Sequence, residues 1–171
     1  MPSKSRSFRV GRAKTGLGLF ATQPIRKRAL IFEYTGKRIT SKESEKREAR
    51  GARYIFELDK NWAVDASNTR HVGRYANHAC RPNADADIEK GKIIIRATKR
   101  IEPGQEITYH YGKDYLENVL TRRGCKCPTC TRRRARQRAE QRLRADRRKK
   151  REATKRKAAR KQTAGKAARK R

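Results

Sequence analysis

The chain has 171 residues, enough for one domain and an extension, and a formal net charge of +32 from 49 basic and 17 acidic residues. The segment 131–171 holds 21 of the basic residues, three of the acidic ones and one large aliphatic side chain, Leu143. Such a segment cannot bury a core, so the folded domain must lie within positions 1–130. So much positive charge favours a polyanionic partner, most simply nucleic acid, or a substrate associated with nucleic acid.

Hydropathy and the N-terminus argue against a membrane or secreted protein. No apolar run approaches the ~20 residues of a spanning helix, and the basic tail has no apolar face for a membrane surface. The first residues, MPSKSRSFRV, lack the apolar stretch of a secretory signal. We therefore expect an intracellular protein without a membrane partner, whose four cysteines bind metal rather than form disulfides.

The folded part is predicted to be mostly β. Short apolar segments separated by Gly- and Pro-containing links predict strands at 8–10, 19–21, 30–34, 54–58, 62–65, 84–89, 92–97 and 106–109. Lys90-Gly91 predicts the tight turn of a hairpin between two of them. Thr40, followed three residues later by Glu43, predicts the start of a short charged helix that ends near Arg50.

The tail from residue 131 to about 157 is rich in good helix formers, but its crowded positive charges oppose an isolated helix. We expect a helix when the charge is screened or bound, and disorder beyond about residue 157.

Four segments carry the chemistry: TGLGLFA at 15–21, FEYTG at 32–36, RYANHACRPN at 74–83 and GQEITYHYG at 104–112. In this order and spacing they resemble the SET domain, the fold of most protein lysine methyltransferases, over about residues 8–130. The Asn-His-x-Cys-x-Pro-Asn string followed by Tyr-x-Tyr-Gly is the most specific part. The resemblance implies short β-sheets with a pseudoknot, small helical insertions and a basic tail that is helical or disordered. It divides the chain into a SET catalytic domain at 7–115, a post-SET zinc-binding segment at 116–130 and a tail at 131–171.

The resemblance implies S-adenosylmethionine as methyl donor. The residues that match the cofactor-binding motifs are Gly16, Leu17, Gly18, Arg74, Asn77, His78 and Tyr111. Taken alone, the two glycines fit an ordinary β-turn equally well, and a lone histidine is more often structural than a base. We therefore assign His78 to binding rather than to proton transfer, and expect Asn83 to hold the chain crossing by bonding backbone groups.

Tyr111 is the principal candidate for catalysis. A lysine amine, with a pKa near ~10.4, must be neutral before it can attack a methyl sulfonium, and an apolar channel beside a positive sulfonium favours the neutral form. The resemblance gives Tyr111 the role of aligning that amine, and gives Tyr109 the role of a product gate whose hydroxyl limits methylation, chiefly to the monomethyl state. Tyr34 is expected to line the same channel, although a strand tyrosine fits the core equally well.

The cysteines predict a metal site. Cys125, Cys127 and Cys130 lie within six residues, and Cys80 lies 45 positions upstream. Four thiolates make a closed tetrahedral zinc site with a structural role, and the resemblance supplies the same ligand set. The alternative is four unrelated reduced thiols.

These motifs favour a histone-type lysine methyltransferase whose tail binds nucleic acid. The alternatives are a non-enzymatic nucleic-acid-binding protein on a degenerate, zinc-stapled SET fold, and an enzyme acting on another basic protein. The segments at 160–164 and 165–170 resemble pieces of a core-histone tail, so Lys161 or Lys166 is a possible automethylation site, although any such Lys- and Ala-rich tail yields similar strings. We expect nuclear, chromatin-associated localisation if the protein is eukaryotic or host-directed, and cytoplasm or nucleoid otherwise.

Overall fold

The computed structural model describes residues 6–116 and 124–168, with side chains for all of these except 114 and 158–168. The chain divides into two compact units, Met1–Thr129 and Cys130–Arg171. The described part of the first unit consists mainly of short strands, and that of the second unit is helical.

The strands are β1 Phe8–Ala13, β2 Gly16–Ala21, β3 Leu30–Tyr34, β4 Lys37–Thr40, β5 Ile55–Glu57, β6 Trp62–Asp65, β7 Asn77–His78, β8 Ala84–Glu89, β9 Lys92–Ala97 and β10 Glu106–Tyr109. The helices are α1 Ser41–Ala49, α2 Lys113–Tyr115 and α3 Pro128–Ala168, and a 3₁₀ turn spans Val72–Tyr75.

The strands form three small sheets, in the orders β1-β2-β10-β7, β3-β9-β8 and β4-β6-β5. Neighbouring strands run antiparallel except β7 and β10, which are parallel. A parallel pair requires a connection that leaves the sheet and returns, and here the β8–β9 pair lies within that connection. The mostly β fold with small helical insertions is confirmed.

The β8–β9 hairpin is the strand pair that the sequence predicts best. Its six residue pairs run from Ala84↔Ala97 to Glu89↔Lys92. The turn residues Lys90 and Gly91 both have positive φ, +49° and +73°, which gives the twist that two-residue hairpin turns need.

Helix α1 begins where the sequence predicts. The Thr40 hydroxyl accepts a hydrogen bond from the Glu43 backbone N–H at 3.3 Å, which satisfies one of the unpaired donors at the helix start. The Glu43 carboxylate accepts from Arg47 Nε at 2.7 Å, one turn further along the helix. Arg47 Nη1 also donates to Asp65 on β6 at 2.7 Å, so this arginine ties the helix to the sheet.

The first unit has a core formed by apolar residues from several strands and one connecting segment. Its largest fully buried side chains are Leu19, Ile93, Ile95, Ile101 and Ile107. Burying each such side chain contributes roughly 1.5–3 kcal/mol, so the core fixes the strands β2, β9 and β10, two of which carry motif residues.

Helix α3 is longer than the sequence predicts. The expected disorder beyond about residue 157 is corrected, because the backbone is helical through Ala168. Pro128 opens the helix, at a position where its missing N–H costs nothing, and Glu140–Arg144 and Arg148–Glu152 pairs with i,i+4 spacing offset part of the like-charge repulsion. Within the described residues, every helix is too short or too polar to serve as a membrane span.

Candidate active site

Strand pairing brings three of the four motif segments together. The parallel pair aligns Asn77 with Thr108 and His78 with Tyr109, so the Asn-His pair lies beside the Tyr-x-Tyr segment. On its other edge, β10 pairs with β2. This strand carries Gly16 and Gly18 of the TGLGLFA motif at 15–21, named here the glycine segment. Residues that are distant in sequence thus lie on three adjacent strands.

The glycine segment and the Asn-His pair are joined through the Asn77 amide. Asn77 Nδ2 donates to the Leu17 carbonyl at 2.9 Å and to Glu106 Oε1 at 2.7 Å. A Cβ atom at position 18 would lie 2.7 Å from Glu106 Oε1 and 3.1 Å from Asn77 Nδ2. The absence of a side chain at Gly18 therefore leaves room for this close approach, whereas Gly16 adopts a φ of +117° that favours glycine.

Asn83 bridges backbone groups, as expected. Its Nδ2 donates to the Glu106 carbonyl at 2.9 Å, and its Oδ1 accepts from the Thr108 N–H at 2.9 Å. The side chain is buried, so both bonds are shielded from water and hold the segment after Cys80 against β10.

A cavity of about 420 Å³ lies beside these strands. Its lining residues are Arg12, Ala13, Lys14, Thr15, Phe20, Asn77, His78, Glu106, Thr108, Lys126, Cys127 and Pro128. The volume falls within the roughly 300–1,000 Å³ typical of small-molecule sites. Two residues predicted to bind cofactor, Asn77 and His78, contribute to the wall. Another lining residue, Thr15, is the first residue of the glycine segment.

His78 is held as a neutral imidazole. Burial, reinforced by the neighbouring His110, lowers the pKa of His78 to about 4. Its Nδ1 accepts from the Tyr111 N–H at 3.3 Å, and its Nε2 lies 3.4 Å from the Cys80 sulfur. These internal contacts fit a structural histidine, and the role of His78 in cofactor binding stays a prediction.

Five aromatic side chains form a continuous row, named here the aromatic row. The ring centroids are 5.5 Å apart for Tyr34 and Phe56, 6.2 Å for Phe56 and Tyr109, 4.9 Å for Tyr109 and Tyr111, and 5.1 Å for Tyr111 and Tyr115. These spacings lie within the range of favourable aromatic pairs. The row contains all three tyrosines predicted to act in catalysis.

The Tyr111 hydroxyl has a fixed direction. It donates to the Ala76 carbonyl at 2.7 Å, immediately before the Asn77-His78 pair. Burial, and then the nearby tyrosines, raises the pKa of Tyr111 above its usual value, so the phenol stays protonated at physiological pH.

Tyr34 and Tyr109 are buried members of the row. Burial raises the pKa of both, with Asp65 adding to the effect at Tyr34 and Tyr111 at Tyr109. The Tyr34 hydroxyl donates to the Tyr54 carbonyl at 3.1 Å. Both phenols therefore remain neutral.

Arg74 lies against aromatic rings. Its guanidinium carbon is 4.2 Å from the Tyr54 ring centroid and 5.5 Å from that of Tyr75, and Nη1 donates to the Ser67 carbonyl. These contacts hold Arg74 beside Tyr54, whose carbonyl accepts a hydrogen bond from the Tyr34 hydroxyl. Its role in cofactor binding stays a prediction.

The motifs missed three residues of the site. Phe56 lies within a predicted strand, but nothing in its local pattern distinguishes it from a core residue. Tyr115 lies four residues after Tyr111, outside the fourth motif. Glu106 lies within that motif, yet its importance appears only through its bond to Asn77, 29 positions away. Phe56 and Glu106 reach the site through contacts with residues distant in sequence, whereas Tyr115 contacts the Tyr111 ring four positions away. The motifs carry no signal for any of the three contacts.

The four cysteines come together as predicted. The sulfur atoms of Cys80, Cys125, Cys127 and Cys130 all lie within 4.8 Å of one another. Cys80 and Cys125 are 3.9 Å apart, close to the ~3.8 Å separation that follows from Zn–S bonds of ~2.3 Å in a tetrahedron. The donor set therefore fits a structural zinc ion. The Cys127 N–H also donates to the Cys125 sulfur at 3.4 Å.

Comparison with known proteins identifies the same region. The SET domain family matches residues 16–112, more than half of the chain. The H3 lysine-4 specific histone-lysine N-methyltransferase of Candida albicans is 35% identical over 125 residues, covering 66% of this chain and 12% of that protein. The histone-lysine N-methyltransferase set1 of Dictyostelium discoideum is 35% identical over 140 residues, covering 74% and 9%.

The similarity extends to an animal protein at a comparable level. The histone-lysine N-methyltransferase trr of Drosophila melanogaster is 38% identical over 127 residues, covering 67% of this chain and 5% of that protein. The chain thus spans about an eighth or less of the length of these relatives. With the family match over residues 16–112 and the motif residues gathered on β2, β7 and β10, the chain belongs to the SET-domain family.

Proposed function

We propose that this chain is an S-adenosylmethionine-dependent protein-lysine N-methyltransferase that acts on histones or on another basic, nucleic-acid-associated protein. The observation that carries the proposal is the Tyr111 phenol, held by the Ala76 carbonyl at 2.7 Å within the aromatic row and next to the Asn77-His78 pair. The names of the relatives, which are histone-lysine methyltransferases, support the same reaction and substrate class.

The cavity beside β2, β7 and β10 suits the cofactor. Its volume fits a small molecule, and Arg12, Lys14 and Lys126 surround it with positive charge suited to a carboxylate. The residues that would bind S-adenosylmethionine are Gly16, Leu17, Gly18, Asn77 and His78, and Arg74 and Tyr111 complete the proposed set. When bound, this cofactor supplies an electrophilic methyl group on a sulfonium.

The protein prepares the substrate amine. Rings of the aromatic row remove water from around the lysine side chain, which disfavours the ammonium form and lowers the pKa of the amine. The fixed Tyr111 hydroxyl orients the neutral amine, and such positioning accounts for a large share of rate enhancement in bimolecular reactions. Tyr34 closes the inner part of the channel wall, with its own hydroxyl committed to the Tyr54 carbonyl.

The product is mainly monomethyl-lysine. Tyr109 is 6% exposed and packs between Phe56 and Tyr111. Its hydroxyl occupies space that a dimethylated or trimethylated amine would need, and it retains water there.

The cysteine cluster would hold zinc in a structural role. Because four sulfurs fill a tetrahedral shell, no position is left for substrate. We accordingly divide the chain into a catalytic domain at 7–115, a zinc-binding segment at 116–130 and a basic tail at 131–171.

The basic tail would bind nucleic acid. Its described side chains are largely charged and exposed along α3, which suits sequence-independent binding to phosphates. Such binding would keep the enzyme on chromatin in a nucleus, or on a nucleoid. Lys161 and Lys166, the proposed automethylation sites, lie outside the residues whose side chains are described.

Radiolabelled methyl transfer tests the proposal. The full chain, loaded with zinc, is incubated with labelled S-adenosylmethionine and either core histones or no added substrate. We expect label in histones and weaker label in the chain itself. Cofactor binding without label in any basic protein, across several such substrates, would contradict the proposed reaction.

A further inference from the structure

The Asn77 amide has a defined orientation. Its Nδ2 carries two hydrogens, and two protein acceptors, the Leu17 carbonyl and Glu106 Oε1, lie at 2.9 and 2.7 Å from it. Because a carbonyl and a carboxylate are acceptors only, a reversed amide would place its oxygen against both of them. The orientation is therefore set by chemistry, and Asn77 offers a ligand its carbonyl oxygen.

Of the two acceptors, Glu106 forms the stronger hydrogen bond with the Asn77 amide. A hydrogen bond to a carboxylate is shorter and roughly twice as strong as one to a neutral group, which agrees with the shorter distance to Glu106. Glu106 is partly buried and lines the same cavity as Asn77. The missing Cβ of Gly18 is what lets this carboxylate and amide approach β2.

We propose that Glu106 is a positioning residue for the cofactor, acting through Asn77. It turns the Asn77 carbonyl into the acceptor for a hydrogen-bond donor on the ligand, in a cavity whose other charges are Arg12, Lys14 and Lys126. A ligand group that carries both an ammonium and a carboxylate satisfies both features. This inference rests on the proposed function, since the amino-acid end of S-adenosylmethionine is such a group.

Equilibrium binding of S-adenosylhomocysteine, measured by calorimetry, tests the proposal in the full zinc-loaded chain. We expect Glu106→Ala to weaken binding about tenfold, as loss of one charge-assisted hydrogen bond implies. Glu106→Gln keeps an acceptor for the Asn77 amide, so it should recover most of the affinity. Glu89→Ala, which removes an exposed carboxylate paired with Arg96, is the matched control and should bind like the wild type.

A double-mutant cycle shows whether Glu106 acts through Asn77. In the Asn77→Ala background, Glu106→Ala should cause little further loss, whereas a full additional tenfold loss would mean direct contact with the ligand and overturn the proposal. A ligand analogue without the α-amino group gives a second readout. The wild type should prefer S-adenosylhomocysteine over it, and Glu106→Ala should lose most of that preference, which a general structural defect would not cause.

The outcomes separate this inference from the proposed function. If the wild type fails to bind S-adenosylhomocysteine, the proposed cofactor is wrong. If the wild type binds it and Glu106→Ala binds equally well, the proposed function stands and the positioning role of Glu106 is refuted.

Discussion

Tyr109 and Tyr111 are two residues apart and in ring contact, yet we propose different roles for them because their surroundings differ. The Tyr111 hydroxyl is fixed by the Ala76 carbonyl, which suits a group that orients a substrate. Tyr109 is packed between two other rings of the aromatic row. In the proposed mechanism, a buried phenol at this place changes the space and the water available to the amine, so we expect it to affect the product more than the rate.

Replacing Tyr109 with Phe tests the gate. The change removes one oxygen from the channel, so the space for a methylated amine grows and the product should shift from monomethyl-lysine to dimethyl- and trimethyl-lysine. Mass spectrometry of a peptide after extended reaction measures the shift. Tyr75→Phe is the matched control, because its hydroxyl bonds to the Thr69 carbonyl outside the aromatic row. Dominant trimethyl-lysine from the wild type would contradict the account.

Among the elements, α1 is fixed to β6 by one charged pair. Burial alone would raise the pKa of Asp65, but hydrogen bonds from Ser67 and Arg47 outweigh burial and lower it. A lowered pKa means that the unfolded chain binds the proton more tightly. This pair therefore stabilises the fold above the unfolded pKa of ~3.9, and the contribution is lost as pH falls through the lower folded pKa.

The Arg47→Met variant measures this contribution. Because Asp65 is 6% exposed, loss of its partner should reduce the free energy of unfolding by about 2 kcal/mol at pH 7. The difference from wild type should shrink at pH 3, below the unfolded pKa of ~3.9, because the unfolded chain then gains the proton that the folded pair resists. Urea unfolding at both pH values gives the comparison, with Lys92→Met as the control, since its pair with Glu33 is exposed and should be worth under ~1 kcal/mol. An equal loss at both pH values would show that the pair acts by packing alone.

Elements whose signals are local could be predicted from sequence. The Lys90-Gly91 turn and the Thr40 cap depend on residues within a few positions, and both are found in the structure. Strand β4 and the two-residue strand β7 were not predicted, because their formation depends on partners distant in sequence. β7 exists only through its pairing with β10, and no periodicity can emerge from two residues.

The residues of the candidate site also divide into those with a local sequence signal and those without one. The motifs identified the tyrosines, the Asn-His pair and the four cysteines, whose residue types and spacing match their chemistry. They did not identify Phe56 or Glu106, which reach the site through contacts with residues distant in sequence, or Tyr115, which contacts Tyr111 from outside the fourth motif. The end of α3 was also not predicted, because helix propensity and charge repulsion oppose each other over residues 158–168 and sequence alone does not weigh them.

At the scale of the whole molecule, the positive charge is concentrated in the tail, to which we assign a separate role. The tail at 131–171 has 21 basic and three acidic residues, a net +18 of the total +32. Each lysine or arginine that contacts a phosphate releases a counterion, so binding weakens steeply with salt. In the proposed division, the part at 7–130 methylates a short peptide without such contacts.

Deleting residues 131–171 tests this division. We expect the affinity for a random-sequence DNA duplex to fall and the slope of log K against log salt concentration to flatten, while methylation of a short histone peptide is kept. Fluorescence anisotropy at several salt concentrations measures the slope. An unchanged slope would place the DNA contacts within positions 1–130.

The central claim is that a fixed phenol within an aromatic row orients a neutral lysine amine. The most direct test is the single-turnover rate of lysine methylation, at saturating S-adenosylmethionine, for the wild type, Tyr111→Phe and the control Tyr75→Phe. The account predicts a rate at least about 100-fold lower for Tyr111→Phe, with Tyr75→Phe close to wild type. A Tyr111→Phe enzyme that transfers methyl groups as fast as the wild type would contradict it.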